Sequence, residues 1–197
     1  MLYPEKPAIT DLSILPAIKR RWSPRAFSEK PVEDATITIL FEAARWAPSS
    51  FNEQPWRYVY CAKEDGADRA RLDSLLLEGN NWAADAPLLI LSFAKKTFSH
   101  NGKENYHAMH DVGCASGYLV LQATELGLIA HQMAGFDRTK ANMLFNVPED
   151  FMPGSMIAVG YPGDPSQLPK DLLVREQKPR ERRPAVNFAF RKAWGEK

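Results

Sequence analysis

A single domain mixing helices and strands, with at least one strand covered on both faces, is the fold class that the sequence predicts. Three observations carry it. Residues 37–44 place Ile37, Leu40, Phe41 and Ala44 at i, i+3, i+4 and i+7, which is one apolar helix face. The run 86–94 (APLLILSFA) is apolar throughout its centre, as expected of a strand buried on both sides. The length, 197 residues, suits one domain with one sizeable core.

Taken in order, the chain opens on an extended arm to about Thr10. Asp11 or Ser13 is then expected to cap a short helix that has Pro16 in its first turn and ends at Lys19-Arg20-Arg21. Pro31, Glu33 and Asp34 open the helix that carries Ile37 to Ala44. Pro48 and Pro55 fix their own φ and bias the residues before them toward extended conformations, so that helix must stop near Trp46. Residues 56–62 (WRYVYCA) are β-rich and read as a strand. A helix with Leu72, Leu75 and Leu76 on one side is expected to run to about Gly79, followed by the central strand at 86–94. The longest periodic segment, 106–126, is a helix whose Gly113, Ala115 and Gly117 imply close approach of a second helix, since glycine costs about 1 kcal/mol against alanine there. Residues 128–134 and 156–160 read as further strands, separated by a Gly135-Phe136-Asp137 turn and a small helix. Beyond Tyr161 five prolines rule out one long helix, and Val186, Phe188, Phe190 and Trp194 suit an arm laid on a neighbour.

Composition narrows the function. Net charge is +1, which provides no global field for nucleic acid or anionic membranes. Cys61 and Cys114 lack CxxC spacing and read as reduced, buried thiols. The N-terminus lacks the pattern of a signal peptide, and no apolar run has the length of a membrane span, so a soluble cytoplasmic protein is expected. GxGxxG, GxxxxGK[ST] and GxSxG are all missing, so a Rossmann site, a P-loop and a hydrolase elbow have no motif support.

The polar residues point to a bound cofactor. In residues 45–56 (RWAPSSFNEQPW), Ser49, Ser50, Asn52 and Gln54 offer donors and acceptors between two prolines, which suits a ligand bearing hydroxyls and carbonyls. Arg21, Ser23 and Arg25 alternate, so an extended backbone would put two guanidiniums and a hydroxyl on one face, a set that fits a phosphate. Arg180 and Arg182 repeat that spacing with Arg183 beside them; alone, the cluster reads as a solvated tail neutralised by Glu176 and Glu181. Arg45 reads as a helix-end cation. His107, His110 and Asp111 share a helix face, yet the pattern is not HExxH and no metal is expected. His131 reads as packing or a pocket wall. Phosphate and polyol binders without a catalytic triad favour a protein whose cofactor carries the chemistry.

The segments RRWSPRAF, AARWAPSSFNEQPW, NNWAADAPLLI, ELGLIAHQMAGFD, AVGYPGD and RERRP, in this order, resemble the FMN-dependent nitroreductases over nearly the whole chain. The resemblance implies an α+β fold, with a mainly antiparallel central sheet flanked by helices, in an interlocked homodimer. It also implies one FMN-binding domain over 1–197, with 161–197 as an extended C-terminal arm. FMN would be held by Arg21, Trp22, Ser23, Arg25, Pro48, Ser49, Ser50, Asn52, Gln54, Met133, Ala134, Gly135, Arg180 and Arg182. Of these, Arg21, Ser23, Arg180 and Arg182 match the phosphate and ribityl positions, and Arg25 matches the cation at the N1/O2 edge. Pro48 to Gln54 match a loop that meets the flavin, typically across the dimer interface, and Ala134 and Gly135 match backbone N–H donors toward N5 and O4. Trp22 stands where many members carry a basic residue or histidine, which leaves its backbone for the contact. Trp82 lies near a position where some members place a lysine, and Asn80 or Asn81 is the expected substitute. Phe51, Trp82, Phe98, Tyr106 and Phe136 are candidates to shape the pocket. The implied activity is ping-pong hydride transfer from NAD(P)H to nitroaromatics, quinones or similar small acceptors, with no catalytic side chain. Flavin storage or sensing on the same fold is the alternative.

Overall fold

The computed structural model describes residues 3–196. Four strands form one antiparallel sheet: β1 (Trp56–Ala62), β2 (Leu88–Lys95), β3 (Ile129–Met133) and β4 (Phe151–Gly160), in the spatial order β1-β2-β4-β3. Six helices complete the fold: α1 (Pro16–Arg20), α2 (Asp34–Arg45), α3 (Ala67–Asp73), α4 (Ala108–Glu125), α5 (Arg138–Leu144) and α6 (Lys170–Gln177). This is the α+β architecture with an antiparallel sheet that the resemblance implies.

The sheet's two faces explain the apolar run of β2. Leu88 and Ile90 pack with Ile157 and Val159 under α2 and α4, where Ile37, Leu40, Val112, Ala115 and Leu119 meet them. Leu89, Leu91 and Phe93 point the other way, with Met156 and Ala158, into a second cluster holding Leu72, Leu75, Trp82 and Phe136. Successive strand residues alternate between faces, so a strand covered on both sides must be apolar at every position. All four leucine and isoleucine residues at 88–91 are fully buried.

Several expectations change in detail. Neither Asp11 nor Ser13 caps α1; Leu15 stands at the N-cap without a side-chain bond, and Pro16, which needs no N–H partner, starts the helix. Helix α3 stops at Asp73, well before Gly79, because Leu75 turns into the core and Leu76 pairs with Phe136 in an isolated bridge. Strand β4 begins at Phe151, five residues before the apolar run at 156–160, and passes Pro153 and Gly154 by a register shift opposite Leu91 to Phe93. Ser92 seals that irregularity, since its Oγ accepts from the Ser155 N–H at 2.9 Å. Cβ atoms placed on Gly113 and Gly117 of α4 would touch nothing in this chain, so the close approach expected there is not made within it. Among the described residues, no helix is long and apolar enough to cross a membrane.

Candidate functional site

The Arg21–Arg25 segment runs extended between α1 and the isolated bridge at Phe27. Arg21 Nη1 donates to Ser23 Oγ at 3.3 Å, which puts both on one face as the alternation requires. Arg180 comes to the same place from the far end of the sequence. Its Nη1 donates to the carbonyls of Lys6 (2.7 Å) and Lys19 (2.9 Å), tying the C-terminal segment to the N-terminal arm and to α1. Arg182 completes the group. Burial, then the like charges of Arg180 and Arg182, push the Arg21 pKa down; burial and Arg182 do the same to Arg180. Guanidiniums gathered in this way raise the local positive potential, which favours an anion there.

Trp22 points away from this face. Its ring stacks on Tyr3 at 5.8 Å and lies under the Lys6 ammonium at 4.3 Å, so the indole fastens the N-terminal arm. Arg25 is fixed by a residue that the tail reading assigned to solvent. Glu176 is fully buried, and its Oε1 accepts from the Arg25 N–H at 2.8 Å while Oε2 faces Arg25 Nη1 at 3.4 Å. It therefore does not neutralise the Arg180–Arg183 cluster. From the opposite side, His131 Nδ1 bonds the Pro24 carbonyl at 2.9 Å and its ring packs on Trp82 at 4.6 Å. Burial holds the His131 pKa down to about 4, with the Arg25 and Arg21 charges acting in the same direction, so the imidazole is neutral near pH 7 and Nδ1 carries the donated hydrogen.

The second polar stretch is knitted from within. Ser49 Oγ accepts from the Gln54 N–H at 3.0 Å, and Gln54 Nε2 donates to the Asn52 carbonyl and Oδ1 at 3.1 and 3.2 Å. Phe51, Asn52 and Gln54 all have φ between 51° and 54°, left-handed values that non-glycine residues seldom adopt. Two carboxylates tie it to the rest of the chain, Asp111 from α4 and Glu53 from the turn itself. Asp111, buried on α4, accepts from the Ser50 N–H at 3.0 Å. Glu53 accepts from the Ser99 N–H and hydroxyl at 2.9 and 2.6 Å and lies 3.4 Å from Lys95 Nζ. Asp111 thus serves the loop, and among the described residues no cluster of three metal-ligating side chains occurs. Arg45 is the last residue of its helix, the helix-end cation read from sequence, and it pairs there with Glu42.

Met133 is buried in the second core cluster, which leaves its backbone for any ligand. After it, Asn80 Nδ2 donates to the Gly135 carbonyl at 3.0 Å. A Cβ on residue 135 would lie 2.4 Å from that nitrogen, so any side chain there would have to displace the Asn80 carboxamide. No acceptor among the described residues takes the Gly135 N–H. Of the aromatic candidates, Trp82 and Phe136 are core residues, whereas Phe51 and Tyr106 are more than four-fifths exposed.

Within one chain these residues form two half-sites along α4. Arg21 and Ser23 line a cleft with Gly117, Val120, Ala130 and Gln132. Pro48, Ser49 and Ser50 line another with His107, His110 and Asp111. From residue 110 to 117 is about 10 Å along a helix axis, so the fold does not merge them. Sequence reasoning missed Asp111 as a loop anchor and Glu176 as the partner of Arg25. A signal for the latter was present: Glu176 lies four residues after buried Leu172, an acid on the apolar stripe of its helix.

An α+β chain with an antiparallel sheet between helical layers and a cleft lined by Arg21 and Ser23 has well-matched relatives of known structure. A crystal structure described as an oxidoreductase containing FMN superposes with a TM-score of 0.89 and 36% identity, covering 95% of this chain and 96% of that one. A nitroreductase family protein of Clostridium difficile 630 superposes with a TM-score of 0.70 and 25% identity, over 92% of this chain and 99% of the other. Among sequences, an uncharacterised 15.4 kDa protein of Mycolicibacterium smegmatis is 35% identical over 137 residues, 67% of this chain and 91% of that protein. A Burkholderia lata relative provisionally named an NADH dehydrogenase/NAD(P)H nitroreductase is 29% identical over 162 residues, 73% of this chain and 82% of that protein. The nitroreductase family model matches residues 18–81 and 76–161. The chain belongs to the nitroreductase family of oxidoreductases.

Proposed function

We propose that this protein is an FMN-dependent oxidoreductase that takes electrons from NADH or NADPH and passes them to nitroaromatic, quinone or similar small acceptors. The observation that carries the reading is the crowding of half-buried Arg21 and Arg180 with exposed Arg182, drawn from opposite ends of the chain. A flavin phosphate, with close to two negative charges, fits three guanidiniums that otherwise repel one another. The Gly135 N–H, without an acceptor, suits a flavin ring atom, and Ala134 adds a neighbouring backbone donor. When bound, FMN would supply two-electron transfer at N5.

In this reading Arg21, Arg180 and Arg182 hold the phosphate, Ser23 and the Trp22 backbone meet the ribityl chain, and Arg25 faces the N1/O2 edge. Pro48, Ser49, Ser50, Asn52 and Gln54 act from a second subunit, which brings the half-sites together. Supporting that homodimer, Met109, Tyr118 and Leu126 of the α4 region are exposed beside the bare Gly113 and Gly117. Exposed Val186, Phe188 and Trp194 make the 161–197 segment an arm fit to lie on a partner. One binding place serving donor and acceptor in turn makes ping-pong kinetics the expected pattern.

The experiment is anaerobic addition of NADH or NADPH to the flavin-loaded protein. Bleaching near 450 nm, recovered on adding a quinone or nitroaromatic, is expected. Flavin that stays oxidised with both nicotinamides would instead identify a flavin-binding protein without turnover.

A further inference from the structure

Glu176 is the least expected charged group in the molecule: a carboxylate with no exposed surface, on α6, beyond the residues matched by the family model. A buried carboxylate persists only where several donors meet it. Three do: the Arg25 N–H at 2.8 Å, the Ala26 N–H at 3.4 Å and Arg25 Nη1 at 3.4 Å. The same turn of α6 offers the Glu176 carbonyl to Lys6 Nζ, whose ammonium covers Trp22. One turn of α6 therefore grips the Arg21–Arg25 segment at Trp22 and at Arg25. Among the described residues, Arg25 Nε and Nη2 have no protein partner, while the guanidinium also lies 5.7 Å from the Trp82 ring.

We infer that Glu176 is a positioning residue that aims Arg25 and cancels part of its charge, so that this chain holds its flavin at a lower reduction potential than an unpaired arginine would give. The inference rests on the flavin reading above. A guanidinium beside the flavin's pyrimidine edge favours the reduced cofactor, which gains negative charge there. A carboxylate paired with the same guanidinium would oppose that preference, and low-dielectric surroundings would keep the opposition strong. Glu176 has no exposed surface and bonds Arg25, so any influence on a ligand would pass through Arg25.

The test is the midpoint potential of bound FMN in the full-length protein, with melting temperature recorded alongside. Glu176→Gln keeps an oxygen for the two backbone N–H groups and removes the charge. The potential should move positive, corresponding to roughly a tenfold rise in preference for reduced over oxidised flavin. Asp171→Asn makes the same charge change at an exposed position of α6 and should leave the potential in place. In Arg25→Gln/Glu176→Gln both charges are gone, and the potential should return to or below the wild-type value. A Glu176→Gln shift no larger than that of Asp171→Asn, or one that survives in the double variant, overturns the inference while leaving the flavin reading intact. A wild-type protein that takes up no added FMN overturns both.

Discussion

The segment 21–25 and the loop 48–54 both present polar side chains between apolar elements, yet they are held by opposite means. The first is clamped from outside by His131 on β3, Glu176 on α6 and the Arg180 contact to Lys19, each more than one hundred residues away. Arg25 has Glu176 as its counter-charge, whereas Arg21 is left crowded by Arg180 and Arg182. The second is fastened largely by its own side chains, Ser49 to Gln54 and Gln54 to Asn52, and stores strain at three left-handed residues. Remote clamps let a segment keep its charges for a ligand; local bonds spend them on shape. The arginine cluster is thus assembled within one chain by remote contacts, whereas the loop owes its contour largely to its own bonds.

If that contrast is right, the largest effect of mutation falls on the clamped segment. Replacing both Arg21 and Arg180 by alanine should weaken FMN binding by two to three orders of magnitude, since each charge-assisted bond contributes about 1.5–3 kcal/mol. Fluorescence titration with free FMN measures it, and a loss under tenfold would break the comparison.

Next comes pH. The folded His131 pKa, about 4, lies below its unfolded value near 6.5, so the unfolded chain binds the proton more readily. The neutral ring's contribution is present above pH 6.5 and is lost as pH falls toward 4, amounting to roughly 3 kcal/mol over that window. Urea melts between pH 7 and 4 should show the slope, and His131→Asn should flatten it.

A smaller effect belongs to the loop's anchor. Asp111→Ala leaves the Ser50 N–H without its acceptor and should cost about 1–3 kcal/mol of stability. Hydrogen exchange at residues 49–54 should accelerate with it. Smallest is Phe51→Gly, which relieves a φ of 52° at an exposed position and loses only edge contacts to Phe98 and His100. Its stability should change by less than about 1 kcal/mol, with relief and lost contact offsetting each other.

Much of the framework was legible because it follows from period and burial. Strand β1 lies at 56–62 as its β-rich composition requires, and the apolar run around β2 sits at the sheet's centre with α2 and α4 on one face. What escaped notice depends on tertiary partners. Leu76 continues a helical pattern on paper, but Phe136 pairs with its backbone and α3 ends early. Pro153 and Gly154 argue against a strand until Ser92 is seen to seal the irregularity. At the candidate site the alternation of Arg21 and Ser23 was readable from local geometry. The partners of Asp111 and Glu176 were not, since they lie 61 and 151 residues away and leave no spacing to detect; only the burial of Glu176 was hinted at, by its place on the apolar stripe of α6.

The central claim is that the Arg21, Arg180 and Arg182 cluster of this chain exists to hold the phosphate of a flavin. Parallel titration of the flavin-free protein with FMN and with riboflavin, followed by visible absorbance, tests it directly. The account predicts that FMN binds at least a hundredfold more tightly, roughly the worth of two charge-assisted contacts. Equal affinity for the two flavins, or no uptake of either, would contradict it.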